Sequence, residues 1–191
     1  MGRMAFVRKT VPVYIGLLRA VNVGGANPVS MDDLRTLLTR MRLEGVQTLL
    51  QSGNVVFRTD EPAAASLEHR LEERIARDLR VRTDVFLRTT DEWSSIVRGN
   101  PFPEEAASAP GRLIVTTMKR APSLEQWRAL TAAIKGPERM TGVDRAAYIV
   151  YPDGTGRSRL TPDVIERHLA TRGTSRNWNT VTKLADLSAR L

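Results

Sequence analysis

VQTLLQSGNVVF, residues Val46–Phe57, carries two short apolar runs, Val46 to Leu50 and Val55 to Phe57, on either side of Ser52-Gly53. Runs this short are strand-like, and a Ser-Gly pair between them is the signature of a two-residue hairpin turn. The stretch therefore predicts two adjacent antiparallel strands. On its N-terminal side, Leu34, Leu37, Leu38 and Met41 recur at helical spacing behind Ser30, whose Asp33 makes a capping-box-like start. Before them, Val13 to Val21 is apolar enough for a central strand. On the C-terminal side, Leu67, Leu71, Ile75 and Leu79 place an apolar seam on a charged helix, and Val81, Val85 and Leu87 suggest a closing strand. The order is β-α-β-β-α-β, which predicts an antiparallel sheet covered on one face by two helices.

The same order begins again after GNPFPEEAASAPG, residues 99–111, whose three prolines and flanking glycines mark a connection and, with few apolar anchors, the most accessible long segment. Leu113 to Met118 reads as a strand. Leu124, Trp127, Leu130, Ala133 and Ile134 read as a helix behind Ser123, and Val143 and Ala146 to Tyr151 as strand residues. Thr161-Pro162-Asp163 starts another helix with a cap followed by proline in the first turn. Where the first half has a closing strand, the second is expected to finish with a helix from Asn177 to Ala189, with Trp178, Val181, Leu184, Ala185 and Leu191 on its apolar face. The reading is α+β, two tandem ferredoxin-like subdomains over 1–98 and 112–191 joined by 99–111, with no residue-level repeat visible beneath the repeated order.

Composition narrows the chemistry. A chain of 191 residues buries roughly 70% of its unfolded surface and needs no covalent staples. It has no cysteine, and His69 and His168 are its only imidazoles, so disulfides, thiolate ligands and His-rich metal sites are not expected. No cofactor is expected either. The basic start before Val11–Leu18 has the outline of a signal peptide, but Pro12 interrupts the run and Arg19 ends it, which suits a buried strand. No stretch approaches a membrane span, and a cytoplasmic location without membrane contact is expected. The net charge of +8 is uneven: residues 1–95 hold 14 basic and 12 acidic groups, residues 96–191 hold 15 and 9. A basic half attracts nucleic acid or small anions, although 25 of 29 basic residues being arginine also fits coding bias.

YIGLLRAVNVGGANPVSMDDLR (14–35), LLQSGNVVF (49–57), YPDGTGRSRLTPDVIERHL (151–169) and TSRNWNTVTKL (174–184) together resemble the sequence blocks of the domain-of-unknown-function family 1697 (DUF1697), across roughly residues 12–188. The resemblance implies two ferredoxin-like subdomains in a small bacterial protein. It implies no activity and no catalytic residues.

Each block has a bland and a sharp reading. In Arg19 to Asn27 a strand runs into Gly24-Gly25; the bland reading is a tight turn, the sharp one an anion held by Arg19, Asn22 and the glycine backbone. Asn54 belongs to the hairpin turn or offers its amide beside that loop. Pro152 to Arg159 places Arg157 and Arg159 just before a helix start, as a solvated basic loop or an anion site. TSRNWNTVTKL gathers Arg176, Asn177, Asn179 and Thr180 around Trp178, where capping by Asn177 explains one polar residue and internal docking or ligand contact must explain the rest. Tyr148 and Tyr151, three apart on one strand, point to opposite faces. Two functions follow. One is a noncatalytic module binding an anionic partner, nucleic acid or a nucleotide-like ligand, through the basic half. The other is an enzyme on a small phosphorylated or carboxylated substrate oriented by Arg19, Asn22, Arg157, Arg176 and Asn177, with no nucleophile or base identified.

Overall fold

The computed structural model describes residues 11–24, 27–61 and 64–191. The first half runs β1 (Val13–Leu18), α1 (Met31–Arg40), β2 (Glu44–Leu49), β3 (Asn54–Arg58), α2 (Ala64–Asp78) and β4 (Val85–Thr89). Its four strands pair antiparallel in the order β2-β3-β1-β4. Helices α3 (Thr90–Arg98) and α4 (Pro103–Ser108) lead to the second half. There β5 (Leu113–Met118), α5 (Leu124–Ala133), β6 (Arg139–Val143), β7 (Ala146–Val150), α6 (Pro162–Leu169) and β8 (Gly173–Asn177) repeat the plan in the order β6-β7-β5-β8, and α7 (Trp178–Ala189) ends the chain. Two ferredoxin-like units in tandem are what the strand orders describe.

Alternation along the strands sorts side chains into three apolar layers. Tyr14, Val55, Phe57, Val85 and Leu87 pack under Leu34, Leu38, Leu67, Leu71 and Ile75 of α1 and α2. Ala147, Ile149 and Met118 pack under Leu130, Ile165 and Leu169 of α5 and α6. The opposite faces of the two sheets, carrying Ile15, Leu17, Val56 and Phe86 on one side and Leu113, Val115, Tyr148 and Val150 on the other, share a central layer with Trp93 of α3 and Trp178, Val181 and Leu184 of α7. Helix α7 touches strands of both sheets, so the two units are one packed body. At roughly 1.5–3 kcal/mol for each large apolar side chain buried, this central layer ties the halves together.

Four features differ from the sequence reading. The β2–β3 connection is four residues, Leu50 to Gly53, with Leu49 paired to Asn54; Leu50 (φ 60) and Gly53 (φ 70) both take left-handed backbone. Glycine is needed at the second, since a Cβ would stand 2.5 Å from Val21 Cγ2 and 2.7 Å from Leu18 Cβ. The second half does have its closing strand: β8 precedes α7, and it escaped notice because Gly-Thr-Ser-Arg-Asn has no apolar alternation. Its polar side chains have partners instead, Ser175 with Thr116 and Arg176 with the first half. Helix α3 was not foreseen although Thr89 and Glu92 form a full capping box at its start. The Pro-rich connection is anchored, because residues 103–108 are helical, Phe102 and Ala106 pack against the central layer, and Glu105 pairs with Arg139, whose guanidinium lies 5.3 Å from the Phe102 ring.

Candidate functional site

Of the polar residues singled out from sequence, Arg19, Asn54 and Arg176 make contacts across the seam between the halves. Arg19, just after β1, donates through Nε to Glu166 Oε1 at 3.1 Å and to Gly173 O at 3.2 Å, and through a terminal nitrogen to Glu166 Oε2 at 3.2 Å. Asn22, at φ 55, ties its own loop to the hairpin: its amide donates to Val29 O and Gln51 O while its Oδ1 accepts from Val29 N. Gly24 is left-handed at φ 57 with open space where a Cβ would go, and Gly25 lies outside the described residues. Asn54 is wholly buried; its amide donates to Leu49 O and Ser52 Oγ, and its Oδ1 accepts from Arg176 Nε at 2.5 Å. Asn177 caps α7, accepting from Thr180 N and Thr180 Oγ1, both at 3.0 Å. Thr180 is buried and Asn179 exposed. Arg157 and Arg159 stand apart from this group, exposed around a recess of about 180 Å³ that Lys135, Glu138, Tyr151 and Asp153 also line.

The seam is built twice. Arg176 of β8 donates to Leu18 O at the end of β1, and Arg88 of β4 donates to Met118 O at the end of β5. Arg19 follows Leu18 and reaches Glu166 and Gly173 O; Lys119 follows Met118 and reaches Glu72 and Val85 O. Glu166 in turn accepts from Gly173 N at 3.0 Å, and Glu72 from Val85 N at 2.8 Å, so each carboxylate occupies a free N–H of an edge strand that would otherwise invite pairing. Trp93 Nε1 donates at 3.0 Å to the carbonyl of Val181, its counterpart on α7. Arg172 and Asp84, which occupy equivalent positions, pair with each other at 3.2 Å. The halves are thus related by an approximate two-fold axis, and a residue-level repeat that composition conceals is written in these contacts. Sequence reasoning missed Arg88, Lys119 and Glu72. The signal was positional: a cation directly after the first strand of each half, and an arginine directly before the caps Thr89 and Asn177.

Burial pulls the Arg176 guanidinium down to about 10. Burial, and then the neighbouring Arg145 charge, does the same to Arg88. Both remain cationic at neutral pH. Arg88 is 3% exposed and lines a cavity of about 230 Å³ between α3 and the β6–β7 hairpin, with Glu92, Ile96, Arg145, Ala146 and Tyr148.

Tyr148 of β7 and Tyr151, the residue just after that strand, face opposite layers. Tyr148 donates to Ile96 O at 2.7 Å in the central layer, and Tyr151 to Leu160 O at 3.0 Å beneath α6. Burial pushes both phenols up to about 12, Tyr151 with some help from Glu138. An unfolded phenol ionises near 10, so between these values the unfolded chain has released protons that the fold retains. The stability these phenols contribute is complete below pH 10 and is lost as pH rises through 12. At pH 11 the loss is on the order of 1 kcal/mol per tyrosine. Urea midpoints at pH 9 and pH 11 should fall less in Tyr151→Phe than in the wild type, a comparison in which the arginines are common to both. An equal fall would show that the Tyr151 phenol titrates normally.

The chain shares its fold with the conserved bacterial protein SP0830 from Streptococcus pneumoniae, at 20% sequence identity and a TM-score of 0.73 over 93% of this chain and 99% of that one. A putative chlorite dismutase, TA0507, aligns over the same shares at 14% identity, but its TM-score of 0.26 supports nothing. No curated protein matches. The profile of the family described as "Protein of unknown function (DUF1697)" matches residues 11–148, well over half of the sequence, and the chain belongs to that family.

Proposed function

We propose that the protein is a noncatalytic binding module that holds an anionic partner, nucleic acid, on the outer surface of its second half. The supporting observation is where positive charge is left over. In the first half Arg35, Arg70, Arg74 and Arg77 each lie against a carboxylate of the same half; Arg40, Arg42, Arg80 and Arg82 are exposed without an ion pair among the described residues, but only Arg40 lines a recess, in company with Asp33 and Asp78. In the second, Lys119, Arg145 and Arg172 point into the seam and are paired there. Lys135, Arg157 and Arg159 converge on one recess, and among the described residues none of them has an ion-pair partner; Glu138 beside them accepts from Ser158. Arginines left in water beside one another suit phosphate, which they bind bidentately. The guanidinium groups of Arg19 and Arg176 and the side-chain carbonyl of Asn177, by contrast, are engaged by internal partners.

Log affinity for nucleic acid should fall linearly with log salt, by about 0.9 for each duplex phosphate neutralised. Replacing Lys135, Arg157 and Arg159 together by alanine should flatten that slope by roughly 2 to 3 and leave the thermal midpoint close to the wild type. Absence of binding at low salt to single- and double-stranded DNA and RNA would sink this reading. A saturable thermal shift from a nucleotide in its place would reassign the partner to a small ligand.

A further inference from the structure

The two pseudo-equivalent arginines are not equally satisfied. A guanidinium offers five N–H groups in a rigid fork. Arg176 meets five acceptors: Asn54 Oδ1, Leu18 O, Ser52 O, Thr174 Oγ1 and Ser175 O. Arg88 meets two among the described residues, Leu87 O at 2.7 Å and Met118 O at 2.6 Å, the counterparts of Ser175 O and Leu18 O. The strand registers explain the difference. Leu17 pairs with Asn54 in the first sheet and Thr117 with Ala146 in the second, so alanine stands where the capping amide would be. Phe86 likewise replaces Thr174, and the turn at Asp144 and Arg145 supplies no carbonyl in the place of Ser52 O.

What occupies the place of those acceptors is the cavity of about 230 Å³. A cation this deeply buried is costly without a counter-charge, yet no carboxylate lies within ion-pair distance of Arg88 among the described residues. Arg145 has its own partner, Glu92, whose other oxygen accepts from Thr89 N. The cavity therefore holds one guanidinium with no carboxylate at ion-pair distance; Ser95 and Asp144, the latter beside Arg145, make part of its wall, and Ile96, Val143, Ala146 and the ring of Tyr148 make an apolar part.

We propose that this cavity binds a small aliphatic monocarboxylate, its carboxylate on the free edge of the Arg88 fork and its hydrocarbon part against Ile96, Val143, Ala146 and Tyr148. The inference is independent of the nucleic-acid reading, which concerns another surface. A fork-to-carboxylate contact supplies two parallel hydrogen bonds and the missing charge together. The volume lies below the roughly 300–1,000 Å³ of pockets for larger ligands. One free cation in a cavity that Glu92 and Asp144 also line favours a monoanion over a phosphate dianion.

Thermal shift and calorimetry on the full chain with butyrate, butyramide and inorganic phosphate test the idea. Butyrate should raise the midpoint saturably, butyramide should not, and phosphate should act more weakly. Ala146→Asn puts at this position the amide that Asn54 supplies to Arg176; it should weaken butyrate at least about tenfold without loss of fold. Arg88→Met should abolish the response. No shift with butyrate, equal shifts with butyramide, or unchanged butyrate affinity in folded Ala146→Asn would overturn the site, and a stronger response to phosphate would overturn the monocarboxylate.

Discussion

Trp93→Ala should cost roughly 3–5 kcal/mol of unfolding free energy, because the indole fills the layer on which both halves depend. It is 1% exposed and among the largest fully buried side chains. Its ring lies with Ile15, Leu17 and Phe86 of the first sheet and Val115 and Tyr148 of the second, and its Nε1–H is the donor for Val181 O. The substitution removes the apolar contacts and leaves that carbonyl without its donor in a space that helices α3 and α7 cannot collapse, since each is held between two sheets. Denaturation followed by far-ultraviolet circular dichroism should show a lower midpoint with one transition and an unchanged slope, as expected when one cooperative body loses stability. Two separated transitions would mean that the halves fold independently. Trp178→Ala belongs to the same layer, at 8% exposure, and should fall toward the lower end of that range. Trp127→Ala should cost less, as Trp127 is only partly buried, where its ring lies over Gly142.

The parts of this fold that apolar periodicity can encode were legible. Val46–Phe57 disclosed the hairpin, Ser30 and Ser123 disclosed helix starts, and the seams of α1 and α2 are the buried faces of those helices. What was not legible is written in polar residues with long-range partners. β8 contributes almost nothing to the apolar core, so its residues read as loop chemistry, and Arg176 read as a ligand residue as readily as a clamp. Nothing local to TSRNW shows that Leu18 O, Ser52 O and Asn54 will stand beside it from more than a hundred positions away. Arg88 was missed for the converse reason. Its neighbours Val85, Phe86 and Leu87 make a plain strand, in which one arginine looks like a solvent-facing residue, whereas its face of the sheet looks onto the other half. Comparing the halves at matched strand ends, Leu18-Arg19 with Met118-Lys119 and Arg88-Thr89 with Arg176-Asn177, would have exposed both.

Arg176→Ala should be the second most damaging single change, at about 3 kcal/mol, a value set by losing charge-assisted hydrogen bonds worth roughly 1.5–3 kcal/mol while stranding their acceptors. Asn54 Oδ1, Leu18 O and Ser52 O all belong to the other half, so the loss falls on the seam. These acceptors are neutral, and so the penalty should persist in high salt, where pairs of exposed charges are screened. Arg176→Lys should recover only part of it, because an ammonium cannot present the planar fork that spans three carbonyl-type oxygens. Asn54→Ala should cost less alone, and a double-mutant cycle between the two positions should return a coupling of about 1 kcal/mol or more, the value expected for residues in direct contact. Urea titrations of the two single variants and the double variant at low and high salt measure all of this. A loss below about 1 kcal/mol for Arg176→Ala, the size of an exposed charge, would mean that the guanidinium is free in solution. In that case the groups around TSRNWN would again be available to a ligand, and the equivalence between Arg176 and Arg88, on which the carboxylate cavity was inferred, would fail with it.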